Sequence, residues 1–405
     1  MPLDRKLIRG QTTSMKPRPT FTEPCAHAGF ETILAHYGED PQSQKGAATP
    51  AIYQTSTFIY PDAAAFAARR KADNPRHDYT RVSNPTTQIL EAKLARLEKC
   101  KWAHTFGSGM GAISAAINAC VSAGSHVVSV GHVYGPTKMY LNHMQRFGVE
   151  TTFVRGYDTA DYLNAVRDNT RLIYLESPTT GYFDCPAIEP ITSFARSRGI
   201  ATAIDSSWAS PYFMNPADFG IDLVIHSATK YLNGHSDVVA GVICGNDDAL
   251  LERVIREAEL VGAALDPFAA WLMIRGLRTL SLRMQYHHKA GLEVAHYLES
   301  HPKVARVLHP GLESHPHYAI CRSQCRGYSS LFSFVLKEQT REAMTRVLDS
   351  LQLFGQGVSW GGFESLSIGG TFFGDDPAKQ EFVIRLYVGL ESTNDIIADL
   401  KQALG

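Results

Sequence analysis

From about residue 100 to 245, short apolar runs alternate with longer amphipathic stretches. The runs Ala103–Phe106, His126–Val130, Thr151–Val154, Leu172–Leu175, Ala201–Ile204, Leu223–His226 and Val239–Cys244 have the length and composition of strands. Helical patterns lie between several of them, at Gly109–Val121, Lys138–Phe147 and Ile188–Arg198. Repeated strand–helix–strand units with continuously apolar strands predict a mainly parallel sheet covered by helices on both faces. Ligands of such a sheet bind at the carboxyl ends of its strands.

The pattern changes after Asp247. A helical region runs to about Ser300 and includes a long amphipathic segment around Leu282–Leu298. Separate strands follow at Val304–Leu308, Ser330–Leu336 and Phe382–Val388, with helices around Arg341–Leu351 and Asp395–Ala403. The expected organisation is an N-terminal segment over 1–75, a large α/β domain over 76–270 and a smaller α+β domain over 271–405. Met1–Thr20 is basic and polar without an apolar stretch, and reads as a flexible arm rather than a secretion signal. Asn74–Arg81, with Asn84-Pro85 after it, reads as a loop.

Charge changes this picture by exclusion. With 39 basic and 40 acidic residues the formal net charge is −1, which argues against nucleic acid as a partner. No apolar run reaches the ~18 residues of a membrane helix. Seven scattered cysteines predict reduced thiols and a cytoplasmic location. Cys321 and Cys325 have no second pair to close a zinc site, and adjacent His287 and His288 face different ways on a helix, so no metal is expected.

The candidate chemistry sits at the strand ends. Leu223–His226 runs into Ser227-Ala228-Thr229-Lys230. A partly desolvated lysine there can react with a carbonyl, and the hydroxyls beside it can hold a phosphate; an exposed loop lysine is the bland alternative. Ala201–Ile204 ends in Asp205, a carboxylate able to pair with a protonated pyridine nitrogen or simply to cap a helix. Gly107-Ser108-Gly109-Met110-Gly111-Ala112 follows a strand and opens a helix, an arrangement suited to an anion. The string also fits a dinucleotide fingerprint, but the second strand is followed by Gly131-His132-Val133-Tyr134, without the acid a ribose needs. Tyr134 offers instead a ring that can stack on a planar cofactor. Arg385, a charge within an apolar strand, must be paired or functional.

Taken together, these residues resemble a known family. Ser227–Asp237 is similar to the lysine segment of the Cys/Met-metabolism pyridoxal-phosphate enzymes. Tyr79-Thr80-Arg81 with Asn84-Pro85-Thr86, Gly107–Met110, Tyr134–Thr137 and Asp205–Ala209 agree with it in order and spacing, from about Gly46 to Leu404. The resemblance implies an aspartate-aminotransferase-like fold of type I and pyridoxal 5'-phosphate as cofactor. By that resemblance Lys230 would hold the cofactor covalently, Asp205 would pair with its ring nitrogen and Tyr134 would stack on the ring. Gly109 and Met110 amides and the Ser227 and Thr229 hydroxyls would bind its phosphate. Tyr79 and Arg81 would reach the phosphate of a neighbouring subunit, implying a homo-oligomer with a shared site, usually a tetramer. Arg385 would bind the α-carboxylate of a small sulfur amino acid, with Ser359 and Trp360 beside it.

Val358–Leu366 is similar to the form found in the cystathionine β-lyase branch of the family, which implies β-elimination with Lys230 and Tyr134 as the proton-moving groups. Members acting at the γ-carbon, and a non-catalytic regulator keeping the fold, are the alternatives. Thr179-Thr180, Ser206-Ser207 and the segment Ile368–Asp376 depart from the common pattern.

Overall fold

The computed structural model describes residues 28–69, 77–156, 158–371 and 381–405. The predicted N-terminal arm lies outside the described residues, as do parts of the loop at 74–81 and of the segment 368–376.

Seven strands form the large sheet: β1 (Trp102–Phe106), β2 (His126–Val130), β3 (Glu150–Val154), β4 (Thr170–Glu176), β5 (Ala201–Asp205), β6 (Leu223–His226) and β7 (Gly241–Gly245). Their spatial order is β1-β7-β6-β5-β4-β2-β3. The pairs from β6 through β3 are all parallel, whereas β7 runs antiparallel to both β1 and β6. The carboxyl ends of β1, β2, β4, β5 and β6 therefore share one edge with the amino end of β7. Every residue of β2, β6 and β7 is buried, which accounts for their mainly apolar composition, while edge strand β3 is only half-buried.

Local sequence sets the helix starts. Asn84 caps Pro85–Leu97 by accepting the Thr86 N–H, and Ser108 caps Gly109–Cys120 by accepting the Gly111 N–H. The alanine-rich face of Gly109–Cys120 packs closely on the sheet, with Ala112, Ala116 and Ile117 fully buried. The segment predicted as one helix over Lys138–Phe147 starts earlier, at Gly135, and tightens to a 3-10 turn over Met144–Phe147.

A second sheet contains β8 (Val304–Leu308), β9 (Leu331–Leu336), β10 (Gly355–Gln356), β11 (Leu366–Gly370) and β12 (Val383–Tyr387), in the order β10-β11-β12-β9-β8. It is antiparallel apart from the short β10–β11 pair. Helices Asp248–Val261, Pro267–Leu277 and Leu280–Glu299 lie between the two sheets in sequence. Ile368, where the sequence departs from the family pattern, pairs with Arg385 across β11 and β12. Tyr318–Gln324 is helical with Cys325 at its end, and the six described cysteines are free.

Candidate active site

The shared sheet edge gathers the side chains the sequence singled out. Asp205 closes β5 and is 8% exposed. Its Oδ1 accepts the Ser207 N–H at 2.9 Å and the Ser207 hydroxyl at 2.6 Å. The same Ser207 oxygen accepts the Ser227 N–H at 2.6 Å, so the turn after β5 is tied to the turn after β6. Burial raises the Asp205 carboxyl above its usual range, against the lowering pull of the Ser207 bonds, His226 and Lys230.

Lys230 stands in the turn after β6. Its Nζ donates to Ser359 Oγ at 2.6 Å and lies 5.6 Å from the centre of the Trp360 ring. Burial, and secondarily the Arg385 charge, bring its pKa down to about 8, with Asp205 opposing. Arg385, on β12, donates from Nη2 to the Ser359 carbonyl at 3.1 Å, and burial lowers its own pKa to about 10. Ser359 sits at φ +85°, a left-handed conformation that non-glycine residues seldom hold without reason. Two residues on, Gly361 at φ +90° presses against the main chain of Lys230: a Cβ there would come within 2.7 Å of the Lys230 carbonyl carbon.

The glycine-rich string forms a cradle. With Gly111 N–H taken by the Ser108 hydroxyl, the Gly109 and Met110 amides stand at the first turn, where a helix offers no partners of its own. A Cβ on Gly109 would sit 2.9 Å from Ser227 Oγ, so glycine is what lets this helix start approach the serine. Thr229 is placed differently from the expectation of a phosphate-facing hydroxyl. Its Oγ1 donates to the Ala240 carbonyl at 3.1 Å and accepts the Ala240 N–H at 3.0 Å.

Tyr134 is 44% exposed at the end of β2. Burial of its inner half, with Asp205 and Glu176 nearby, raises its phenol pKa, so it is protonated at neutral pH. Tyr79 and Arg81 lie apart from this group. The Arg81 guanidinium is 5.8 Å from the Tyr79 ring centre and donates to the Glu259 carbonyl. Tyr79 is 44% exposed, and Leu260 and Val261, which follow Glu259 in sequence, are exposed as well.

Sequence reading passed over two buried groups. Glu176 closes β4 as the register partner of Asp205, and burial and Asp205 push its pKa up to about 8. Its only signal was the position: an acid ending a buried strand, as at Asp205. His226 ends β6 with its Nε2 2.6 Å from Glu98 Oε1, both side chains 1% exposed. Partners 128 residues apart have no local signature. Among the described residues no histidine, cysteine and carboxylate cluster could hold a metal, and no helix is long and apolar enough to cross a membrane. A cleft of about 660 Å³ lined by Phe30, Tyr212, Phe213 and Arg326 shares none of the site residues.

The donor set suits pyridoxal phosphate. A helix start and a serine can hold a phosphate, a buried carboxylate can hold a ring nitrogen, an exposed phenol ring can stack, and a lysine of lowered pKa can meet the aldehyde. Fold and donor set together define a fold-type I, pyridoxal-phosphate-dependent enzyme. Residues 31–405 match the model of the "Cys/Met metabolism PLP-dependent enzyme" family, and the chain belongs to that family.

Its relatives are similar along nearly their whole lengths. L-methionine gamma-lyase of Fusobacterium nucleatum is 38% identical over 389 residues, 93% of this chain and 98% of that one. Cystathionine gamma-lyase of Dictyostelium discoideum is 35% identical over 92% of this chain and 97% of its own. A putative cystathionine beta-lyase of Rhizobium johnstonii is 35% identical over 93% and 96%. The crystal structure of metB from Corynebacterium glutamicum superimposes with a TM-score of 0.86 at 32% identity, covering 93% of this chain and 97% of that one.

Proposed function

We propose that the protein is a carbon–sulfur lyase that cleaves a cysteine thioether at its β-carbon, converting L-cystathionine and water to homocysteine, pyruvate and ammonia. The observation that carries this reading is the Lys230–Ser359–Arg385 arrangement. An amine of lowered pKa and a guanidinium hold the two ends of one residue, so a base and a carboxylate anchor face the same small space.

Bound pyridoxal phosphate supplies an electron sink for charge developing at the substrate α-carbon. Gly109 and Met110 amides, with the Ser227 hydroxyl, would hold the phosphate end. Asp205 pairs with the ring nitrogen and keeps it cationic. Arg385 binds the substrate α-carboxylate, with Ser359 and Trp360 alongside. Lys230 takes the α-proton, a role for which a pKa of about 8 is suited. Tyr134 stacks on the ring, and its protonated phenol donates to the departing sulfur. Removing one α-proton and expelling a thiolate from the next carbon needs a single base.

Tyr79 and Arg81 complete the phosphate site of a second copy, and exposed Leu260 and Val261, next in sequence to the Glu259 whose carbonyl Arg81 binds, contribute to the contact that brings it there. Two such dimers make a tetramer. Sedimentation of the purified protein tests this; a monomer retaining full turnover contradicts the shared site.

The names of the relatives favour a second reading, elimination at the γ-carbon of methionine or cystathionine, with γ-synthase or sulfhydrylase chemistry as variants. Product analysis with cystathionine decides. Pyruvate supports β-elimination, 2-oxobutyrate supports γ-elimination, and the absence of both removes the lyase reading.

A further inference from the structure

Glu176 occupies a place that the reaction outlined above does not use. Its Oε2 accepts the Tyr134 N–H at 2.8 Å and its Oε1 accepts the Thr180 hydroxyl at 2.5 Å. Tyr134 lies in the connection after β2 and Thr180 in the connection after β4, and these strands are neighbours. The Thr180 N–H in turn donates to the His132 carbonyl at 3.0 Å, two residues before Tyr134. One carboxyl therefore adds two side-chain bonds to the single main-chain bond that links these loops. The residue is 7% exposed, so both bonds are sheltered from water.

We propose that Glu176 is a positioning residue for the cofactor ring, acting as a clamp that sets where the Tyr134 ring stands. The inference rests on the stacking role given to Tyr134 under the proposed function. The main chain of Tyr134 leads directly into the helix Gly135–His143, so its amide is the point at which that ring's base can be anchored. Tyr134 itself is 44% exposed and lacks the packing that would otherwise hold it. The bonds to Glu176 supply that restraint. Burial first, and then proximity to Asp205, favours a proton on Glu176, while the Ser207 bonds, His226 and Lys230 favour the negative charge of the pair on Asp205, where a cationic ring nitrogen needs it.

The test compares wild type with Glu176→Ala, Glu176→Gln and Thr180→Val by visible circular dichroism of the bound cofactor and by titration of the apoenzyme with pyridoxal phosphate. Loss of a buried hydrogen bond predicts about tenfold weaker cofactor binding for Glu176→Ala. Its visible dichroic band should also change in amplitude or sign. Glu176→Gln keeps an oxygen for the Tyr134 N–H and should restore the wild-type band. Thr180→Val removes one arm of the clamp and should move both readouts part of the way. Wild-type dichroism and affinity in Glu176→Ala overturn the proposal, as does a Glu176→Gln variant as defective as the alanine. If Glu176→Ala does not fold, Glu176→Gln and Thr180→Val decide between the same outcomes. Failure of the wild type to bind pyridoxal phosphate would instead strike the proposed function.

Discussion

Lys230 and Ser359 meet at 2.6 Å, the amine of one donating to the hydroxyl of the other across 129 residues of chain. The contact joins the large sheet to the segment preceding β11. It orients the amine before any substrate arrives, and the left-handed backbone at Ser359 is held in place by its partners on both sides.

On the roles proposed above, replacing Lys230 with Ala removes both the attachment point and the base. Turnover of cystathionine should fall by about 10³-fold or more. Borohydride treatment followed by peptide mapping should tag residue 230 in the wild type, and an untagged Lys230 would contradict the assignment.

Capture of the cofactor by the apoenzyme should depend on pH in a defined direction. Only the neutral amine attacks an aldehyde, and the Lys230 pKa is lowered to about 8. The capture rate should rise about tenfold from pH 6 to 7 and level off above 8, where an ordinary lysine would keep climbing towards 10. Arg385→Met removes a positive charge that helps lower this pKa, so its plateau should move to higher pH. Stopped-flow absorbance on mixing apoenzyme with pyridoxal phosphate measures both.

Arg385→Lys keeps the charge but loses the planar fork. The kcat/KM for cystathionine should drop roughly 10- to 100-fold, chiefly through KM, as expected for a lost paired hydrogen bond to a carboxylate. Steady-state kinetics at fixed pH checks it; unchanged KM would remove Arg385 as the carboxylate anchor.

Gly109→Ala places a methyl 2.9 Å from Ser227 Oγ, and the nearest neighbours include the Ser227 main chain at 3.2 Å. The helix start must retreat from the serine. Cofactor affinity should weaken by about tenfold or more while thermal stability changes little, an outcome readable from apoenzyme titration beside a melting curve.

Much of this arrangement could be read from the chain. Strands β2, β4, β5 and β6 announce themselves because both faces are covered, so their runs are mainly apolar. Lys230, Asp205 and Tyr134 were legible because each follows such a run. β11 was not: Leu366–Gly370 carries two glycines and a serine and gains its strand conformation from pairing with β12. The clamp at Glu176 and the Glu98–His226 pair depend on neighbours brought together by the fold, which spacing along a chain does not encode. Thr229 has the right residue type in the right string, yet its hydroxyl is engaged by Ala240.

Gly361 lies flat against the main chain of Lys230, and Val358, three positions earlier, is 81% exposed. One short segment thus both packs on the backbone of Lys230 and reaches out into solvent. A new side chain at Val358 therefore meets open solvent, whereas any side chain at Gly361 would collide with the backbone that carries Lys230.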